Sequence, residues 1–336
     1  MSKYIFIISL LCLFFITEPI KAANKPSSTP IEKEIDLVTK ELDQSKEGTP
    51  ETKKKIKASP ALFSSIGETQ QYTLGEEDTL LDIARSYNLG YIEMLTANPE
   101  IDPWSPDPGT EIILPTQHLL PNAPQKGLVI NLGEMRVYYF KSPDKAPISF
   151  PIGIGREGLS TPTGETTIVR KSKGPWWFPT DRMREENPNL PKVVKSGNAN
   201  PLGSHAMYLG WPTFLIHGTN KPWGIGRRVS SGCIRMYPEN ILFLYKQVPT
   251  KTPVTVINEP VKMVWIEDKL YIEAQPSGTQ SDEIEQKGKF TTIEYPEDFD
   301  LRLEKVAGDF FDKIDKKLVK KILDERRGIP ILLFEK

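Results

Sequence analysis

Leu215-Ile-His-Gly-Thr-Asn220, Lys221-Pro-Trp-Gly-Ile-Gly-Arg-Arg-Val229 and Ser230-Ser-Gly-Cys-Ile-Arg-Met-Tyr237 follow one another in the stretch around which this chain is organised. Apolar Phe214, Leu215 and Ile216 read as a buried strand that delivers His217 at its end. Gly218 then opens a turn, and Gly232 allows a sharp backbone approach just before Cys233. The only other cysteine, Cys12, lies in an apolar N-terminal run. If that run is removed, Cys233 is a lone thiol: a buried small hydrophobe, a mispairing hazard or a working nucleophile. The local sequence favours the nucleophile. A thiol attacks as thiolate from an ordinary pKa of about 8.5, so it needs a base or a positive environment. His217 can be that base if the fold brings it close. The amides of Ser231, Gly232 and Cys233 can converge on one point, as an oxyanion hole requires. Arg228 and Arg235 flank the thiol, where they can lower its pKa or hold a substrate carboxylate in a bidentate pair.

The 336 residues suffice for two or three units. With 44 acidic and 43 basic side chains, charge offers no argument for a nucleic-acid partner. Residues 1–22 read as a secretory signal, with Lys3 as the positive start, an apolar run from Tyr4 to Ile16 and small residues at Ala22 and Ala23. The run is short for a membrane span, which needs about 20 residues. An uncleaved run would instead tether the chain to a membrane. Residues 23–69 form a polar linker, with a short helix expected over Ile31–Leu42.

Residues 70–116 change character. A strand starts at Tyr72, and a helix capped by Asp78 or Thr79 carries Leu80, Ile83, Ala84 and Tyr87 at helical spacing. A second helix fits Tyr91–Ala97, and a turn at Pro108-Gly109 leads into a closing strand. His118, alone in a Pro-flanked connector, is expected to be a solvated surface residue.

From residue 127 to 260 the pattern is mostly β. A hairpin turns at Gly133-Glu134, strands follow over 148–154 and 164–171, one helix is expected over Pro238–Val248, and Val254–Asn258 forms a late strand. Adjacent Trp176 and Trp177 sit in a loop, as a rim for substrate or as an anchor filling an apolar notch. His205 reads as a strand-edge histidine. His205, His217 and Cys233 lack the spacing of a zinc site, so no metal is expected. Residues 261–336 comprise a hairpin turning at Glu267-Asp268, a polar mobile stretch over 276–289, and one helix from Asp298 to Arg327. That helix carries a stripe of Leu303, Val306, Phe310, Ile314, Leu318 and Ile322, expected to pack on the preceding domain or to meet a partner.

His217-Gly-Thr followed by Arg228-Val-Ser-Ser-Gly-Cys-Ile-Arg235 resembles the signature of the L,D-transpeptidase (YkuD-like) family, in particular its ErfK/YbiS-type branch. The resemblance runs from about Gly127 to Pro260 and includes Phe150-Pro-Ile-Gly-Ile-Gly-Arg156, Thr161-Pro-Thr-Gly-Glu165 and Asn200-Pro-Leu-Gly203. Ser231 stands where many members have His, and Arg235 where many have Asn; the ErfK-type branch shares both differences. Residues 70–116 resemble a LysM module through Gly75, Asp78-Thr79-Leu80, Ile83-Ala84, Asn98 and Pro108-Gly109.

The resemblance implies a mainly β catalytic domain, a sandwich or barrel-like fold with one helix, joined to a small βααβ LysM domain. It implies an exported peptidoglycan enzyme of the periplasm that needs no cofactor. Cys233 would attack the carbonyl of the third stem residue, His217 would take the thiol proton, and the Gly218 carbonyl would orient the imidazole. Arg228, Arg235, Trp176 and Trp177 would contact substrate. The acyl group would pass to the amine of another stem peptide, to a lipoprotein lysine or to water. The competing readings are a non-enzymatic LysM wall-binding protein and a cysteine peptidase or L,D-carboxypeptidase.

Overall fold

This computed structural model describes residues 63–336, which belong to a single compact unit. The expected signal segment, the linker up to residue 62 and the helix over 31–42 lie outside the described residues. No described helix is long and apolar enough to cross a membrane.

In chain order the strands are β1 (Ser65–Ile66), β2 (Gln70–Thr73), β3 (Glu111–Leu114), β4 (His118–Leu119), β5 (Gly127–Asn131), β6 (Arg136–Phe140), β7 (Ile148–Pro151), β8 (Ile154–Gly155), β9 (Gly164–Lys173) and β10 (His205–Leu209). They continue as β11 (Leu215–His217), β12 (Arg228–Ser230), β13 (Ile234–Arg235), β14 (Pro253–Ile257), β15 (Val261–Ile266), β16 (Lys269–Ala274) and β17 (Ile331–Glu335). The helices are α1 (Leu80–Ser86), α2 (Tyr91–Ala97), α3 (Asp181–Glu186), α4 (Pro238–Gln247), α5 (Gly278–Lys287), α6 (Phe299–Ala307) and α7 (Lys316–Glu325).

One eight-stranded sheet, ordered β13-β11-β10-β9-β14-β5-β6-β7, carries the stretch that holds His217 and leads into and out of Cys233. Its two edges meet. Directly after β7, Gly153 exchanges both backbone hydrogen bonds with Arg235 of β13, at 2.9 and 2.8 Å. Beside this closure β8 pairs with β12. The sheet therefore curls on itself, which leaves fewer open backbone edges and brings the residues around Cys233 against the chain after β7. Helix α4 starts at Pro238, whose missing N–H costs nothing at a first helical position. Its Ile241 and Leu244 are buried in the main core. A second short helix in this region, α3, was not expected from the pattern; Thr180 caps it by accepting from the Met183 amide.

The segment from β2 to β3 has the order β-α-α-β, with β2 and β3 antiparallel. Its Leu80, Ile83 and Ile92 share one core with Leu128, Ile154 and Ile241 of the region over 127–260. The first amides of α2 lack acceptors within their own helix. Those of Tyr91 and Ile92 donate to the carbonyls of Ile225 and Gly226, both at 3.2 Å. Gly226 has φ +74°, and a Cβ there would lie 2.2 Å from the Tyr91 nitrogen, so only glycine allows this approach.

The C-terminal region departs from the sequence expectation in four ways. The polar stretch over 276–289 holds a helix, α5, started by a reciprocal cap between Ser277 and Gln280. The expected 30-residue helix is broken: α6 stops at Gly308 (φ +54°), a 3₁₀ segment follows, and Asp315 caps α7 by accepting from the Lys317 and Leu318 amides. The apolar stripe packs on β15–β17 rather than on the catalytic domain; Leu303, Ile314 and Ile322 join Val261, Leu270 and Ile272 in a separate core. β17, the third strand of that sheet, was not foreseen, since the short unbroken apolar run Ile331–Phe334 has no periodicity to declare it.

Candidate active site

His217 and Cys233 come together through strand register. β11 and β13 run parallel, with Ile216 opposite Ile234 and His217 opposite Arg235. Ile216 and Ile234 both enter the core. Alternation then turns His217 and Arg235 to the other face, and Cys233 directly precedes β13. Along the parallel ladder Cys233 and His217 are one strand and two residues apart, about 8 Å between Cα atoms by strand geometry.

His217 is only 4% exposed. Its Nδ1 lies 2.5 Å from the Gly218 carbonyl oxygen. A carbonyl only accepts, so Nδ1 carries the proton and Nε2 keeps its lone pair. Burial, helped by the Arg235 charge, depresses the imidazole pKa to about 4, against the opposing pull of the Gly218 and Leu202 backbone groups. At neutral pH the ring is an uncharged acceptor.

Cys233 is half-buried, and its Sγ donates to the Thr213 carbonyl at 3.3 Å. Thr213 sits at φ +70° in the tight turn between β10 and β11. That conformation is uncommon for a branched residue, and it presents this carbonyl to the sulfur. Burial pushes the thiol pKa up; the Leu215 amide and the Arg235 charge pull it down. The resting thiol is thus protonated, with cationic help one strand position away. The Arg235 guanidinium has no hydrogen bond and no carboxylate partner among the described residues.

The loop before the thiol is set by two hydroxyl groups. The Ser230 Oγ accepts from the Gly232 amide at 3.1 Å and donates to the Cys233 carbonyl at 2.5 Å. Buried Thr161 donates to the Gly232 carbonyl at 2.8 Å. Gly232 has φ +102°, and an added Cβ would press on Phe214 at 3.0 Å. This removes one expected oxyanion donor: the Gly232 amide already has an acceptor. The amides of Ser231 and Cys233 have no protein acceptor among the described residues and stay free for a developing negative charge.

A cavity of about 480 Å³ opens beside this loop, lined by Ser231, Arg235, Trp177, Asn187, Lys221 and Trp223 among others. Trp177 is half-buried on its wall, held by a backbone bridge to Val194. Trp176 is half-exposed beneath Lys195 and does not line it. Arg228 leaves the expected cleft. Its Nε pairs with Asp282 of α5 at 3.1 Å, and it lines a different cavity, because alternation along β12 turns it away from Val229 and Ser231. His205 faces Tyr245 of α4 with ring centroids 4.6 Å apart, on the opposite side of the sheet from His217.

Several positioning residues escaped the sequence reading. Asn200 is fully buried; its amide donates to the carbonyls of Pro175, Val194 and Lys195, and its oxygen accepts from Leu202. It ties the Trp177 loop to the turn that covers His217. Asn200 belonged to a recognised motif, but nothing local showed what it holds.

His118 is not a surface residue. It is 3% exposed in β4, with Nδ1 3.6 Å from Glu93. Burial and the nearby charges of Arg136 and Lys262 hold its pKa well below the ordinary histidine value. His118, Glu134 and Glu273 are the one metal-compatible grouping among the described residues. The Lys262 ammonium already lies 2.5 Å from Glu134 and 2.8 Å from Glu273, so the cation at that centre is the chain's own.

A thiol, a neutral imidazole, two amides without an acceptor and an unpaired guanidinium are the parts of an acyl-transfer site. Residues 125–256 match the L,D-transpeptidase catalytic domain (YkuD) family. The chain is 36% identical over 283 residues to the "Probable L,D-transpeptidase YcfS" of Escherichia coli K12, covering 81% of this chain and 86% of that one. The chain belongs to the L,D-transpeptidase family. It is likewise 36% identical to the "Probable L,D-transpeptidase YbiS" of the same strain, over 80% of this chain and 88% of that one. A solved L,D-transpeptidase from Mycobacterium smegmatis aligns with 39% of this chain and 58% of its own at 23% identity, with a TM-score of 0.31. Like its relatives, this L,D-transpeptidase is an acyltransferase.

Proposed function

We propose that this L,D-transpeptidase acts on peptidoglycan stem peptides in the periplasm, with Cys233 as nucleophile and His217 as its base. The observation that supports the reading is the β11/β13 register, which pairs His217 with Arg235 and begins β13 one residue after Cys233. On substrate binding the thiol leaves the Thr213 carbonyl and turns toward His217. As sulfur bonds to the carbonyl carbon of the third stem residue, the thiol proton passes to Nε2. The Gly218 carbonyl stabilises the imidazolium through Nδ1–H. The Ser231 and Cys233 amides receive the oxyanion. Collapse breaks the C–N bond to the terminal D-Ala, whose amine takes the proton from Nε2. An acceptor amine then attacks the thioester, yields a proton to His217, and the sulfur leaves as thiol. Arg235, lacking a carboxylate of its own, is suited to hold one from the donor.

The acceptor is proposed to be the side-chain amine of a second diaminopimelate, forming a 3→3 crosslink, with a lipoprotein lysine or water as the alternatives. The βααβ segment is proposed to act as a LysM module that holds the enzyme on the glycan, through the loop over Gly75–Thr79 and the loop before β3. The N-terminal signal segment would export the chain.

Intact-mass spectrometry after incubation with a disaccharide-tetrapeptide tests the chemistry. An adduct equal to substrate minus D-Ala is expected on the wild type and not on Cys233→Ala. Folded, reduced enzyme that forms no adduct and releases no D-Ala would overturn the reading.

A further inference from the structure

Two tryptophans stand more exposed than their size explains: Trp104 at 61% and Trp223 at 56%. Large exposed aromatic surface brought together at one place marks a binding site more often than an accident of packing. These two line one open cavity of about 530 Å³, a volume within the range of small-ligand sites. The walls come from two parts of the chain. Trp104, Tyr91 and Arg85 belong to the βααβ segment, and Trp223 and Tyr237 to the catalytic domain.

On the βααβ side the aromatic residues are held by their neighbours. The Trp104 amide donates to Asp102 Oδ1 at 2.8 Å, and its ring lies 6.4 Å from that of Tyr91. The Arg227 guanidinium covers the Tyr91 ring at 3.5 Å. Tyr91 opens α2, whose first amides are held by Ile225 and Gly226. The groove thus exists only because the two parts are docked. Trp223 lines this groove and also the cavity that reaches Ser231 and Arg235. That indole borders both spaces.

The geometry points to a composite saccharide subsite: the groove between Trp104 and Trp223 receives the disaccharide of the donor whose stem peptide lies in the cavity beside Cys233. A pyranose ring presents a C–H face and a rim of hydroxyl and acetamido groups. Indole and phenol faces suit the first; at the border Thr79 bonds Asp82 and Arg85 pairs with Glu239, and these groups keep further donor and acceptor capacity for the second. The inference rests on the peptidoglycan reading above and adds to it a site that neither part forms alone.

The test compares rates of Cys233 acylation by a disaccharide-tetrapeptide and by the bare tetrapeptide, for wild type and Trp104→Ala. The Trp104 side chain is exposed and lines only the groove, so the variant should fold, and its thermal melt checks this. Acylation by the glycosylated donor should fall about tenfold and that by the bare peptide less than twofold. Equal effects on both donors, or none on either, would overturn the subsite. Titration of the peptide-free disaccharide, followed by NMR, reads the groove without any catalysis. Binding by wild type should weaken in both Trp104→Ala and Trp223→Ala. Binding lost in the first but kept in the second would assign the sugar to the βααβ segment alone and defeat the composite site. An enzyme that binds the disaccharide but acylates with neither donor would break the transpeptidation reading and leave the groove standing.

Discussion

The cleft beside Cys233 and the charged cluster around Lys262 are both polar and buried, yet they treat their charges in opposite ways. In the cluster, Glu93 pairs with Arg136 at 2.8 Å, and Lys262 sits between Glu134 and Glu273. Tyr138 donates to Glu134, Lys262 donates to the Leu119 carbonyl, and Glu273 accepts from the Leu119 amide. These groups come from α2, the β4 connector, the β5–β6 hairpin and the β15–β16 hairpin, so one network joins the three regions of the chain. In the cleft, Arg235 has no counter-ion, the imidazole is uncharged and two amides lack acceptors. In the cleft the unpaired groups are available to a substrate, while the paired charges of the cluster set the relative placement of its parts.

The contrast breaks or sharpens under substitution. The largest effect belongs to Cys233→Ala: turnover should fall about 10⁴-fold or more with no loss of thermal stability, as followed by D-Ala release and calorimetry. A variant retaining a tenth of the activity would remove Cys233 from the chemistry. Next comes Lys262→Met, which strands two carboxylates in the interior. Denaturant unfolding should show a loss of about 3–5 kcal/mol. The intact fraction should keep its acylation rate, since Lys262 touches nothing in the cleft. A neutral outcome would mean the cluster does not hold the regions together.

Arg235→Gln should reverse that pattern, with stability nearly unchanged and kcat/KM down about 10–100-fold. It also carries a pH signature. The base must be neutral, and burial with the Arg235 charge holds His217 to about 4. The wild-type acidic limb should therefore lie near pH 4, with activity rising as pH increases through it. Removing the guanidinium should move that limb upward, toward the ordinary histidine range; an unmoved limb would deny any coupling between Arg235 and His217.

The smallest effect is expected for Thr161→Val, which removes the hydroxyl held on the Gly232 carbonyl. A loss of about 1–2 kcal/mol in stability and of about tenfold in kcat, with KM kept, would mark a residue that positions the loop. Thr161→Ser should restore most of both.

How much of this was legible depended on whether the information was local. His217, Cys233 and the glycine before the thiol stand in one short stretch, and a nucleophile needs those residue types wherever the fold puts them. The strands over 127–140 and the hairpin over 262–273 declared themselves by alternation. Arg228 and Arg235 looked equivalent because each flanks the thiol. Only their strand positions separate them, one toward α5 and one into the cleft. The polar composition of 276–289 hid a helix whose cap and partner, Arg228, lie outside any hydrophobic pattern. His118 misled because burial in a connector follows from what three distant segments place around it.

By itself the sequence determined the chemistry on offer: a thiol, a histidine, a glycine-bearing loop and a mostly β chain to carry them. Tertiary structure alone decided which arginine is free, which amide already has an acceptor, and that the βααβ segment shares its core with the catalytic sheet. The physical reason is that residue type and periodicity are properties of neighbours along the chain. Pairing, burial and the resulting pKa shifts are set by groups up to 230 positions apart, as Arg327 on the Ala97 carbonyl shows.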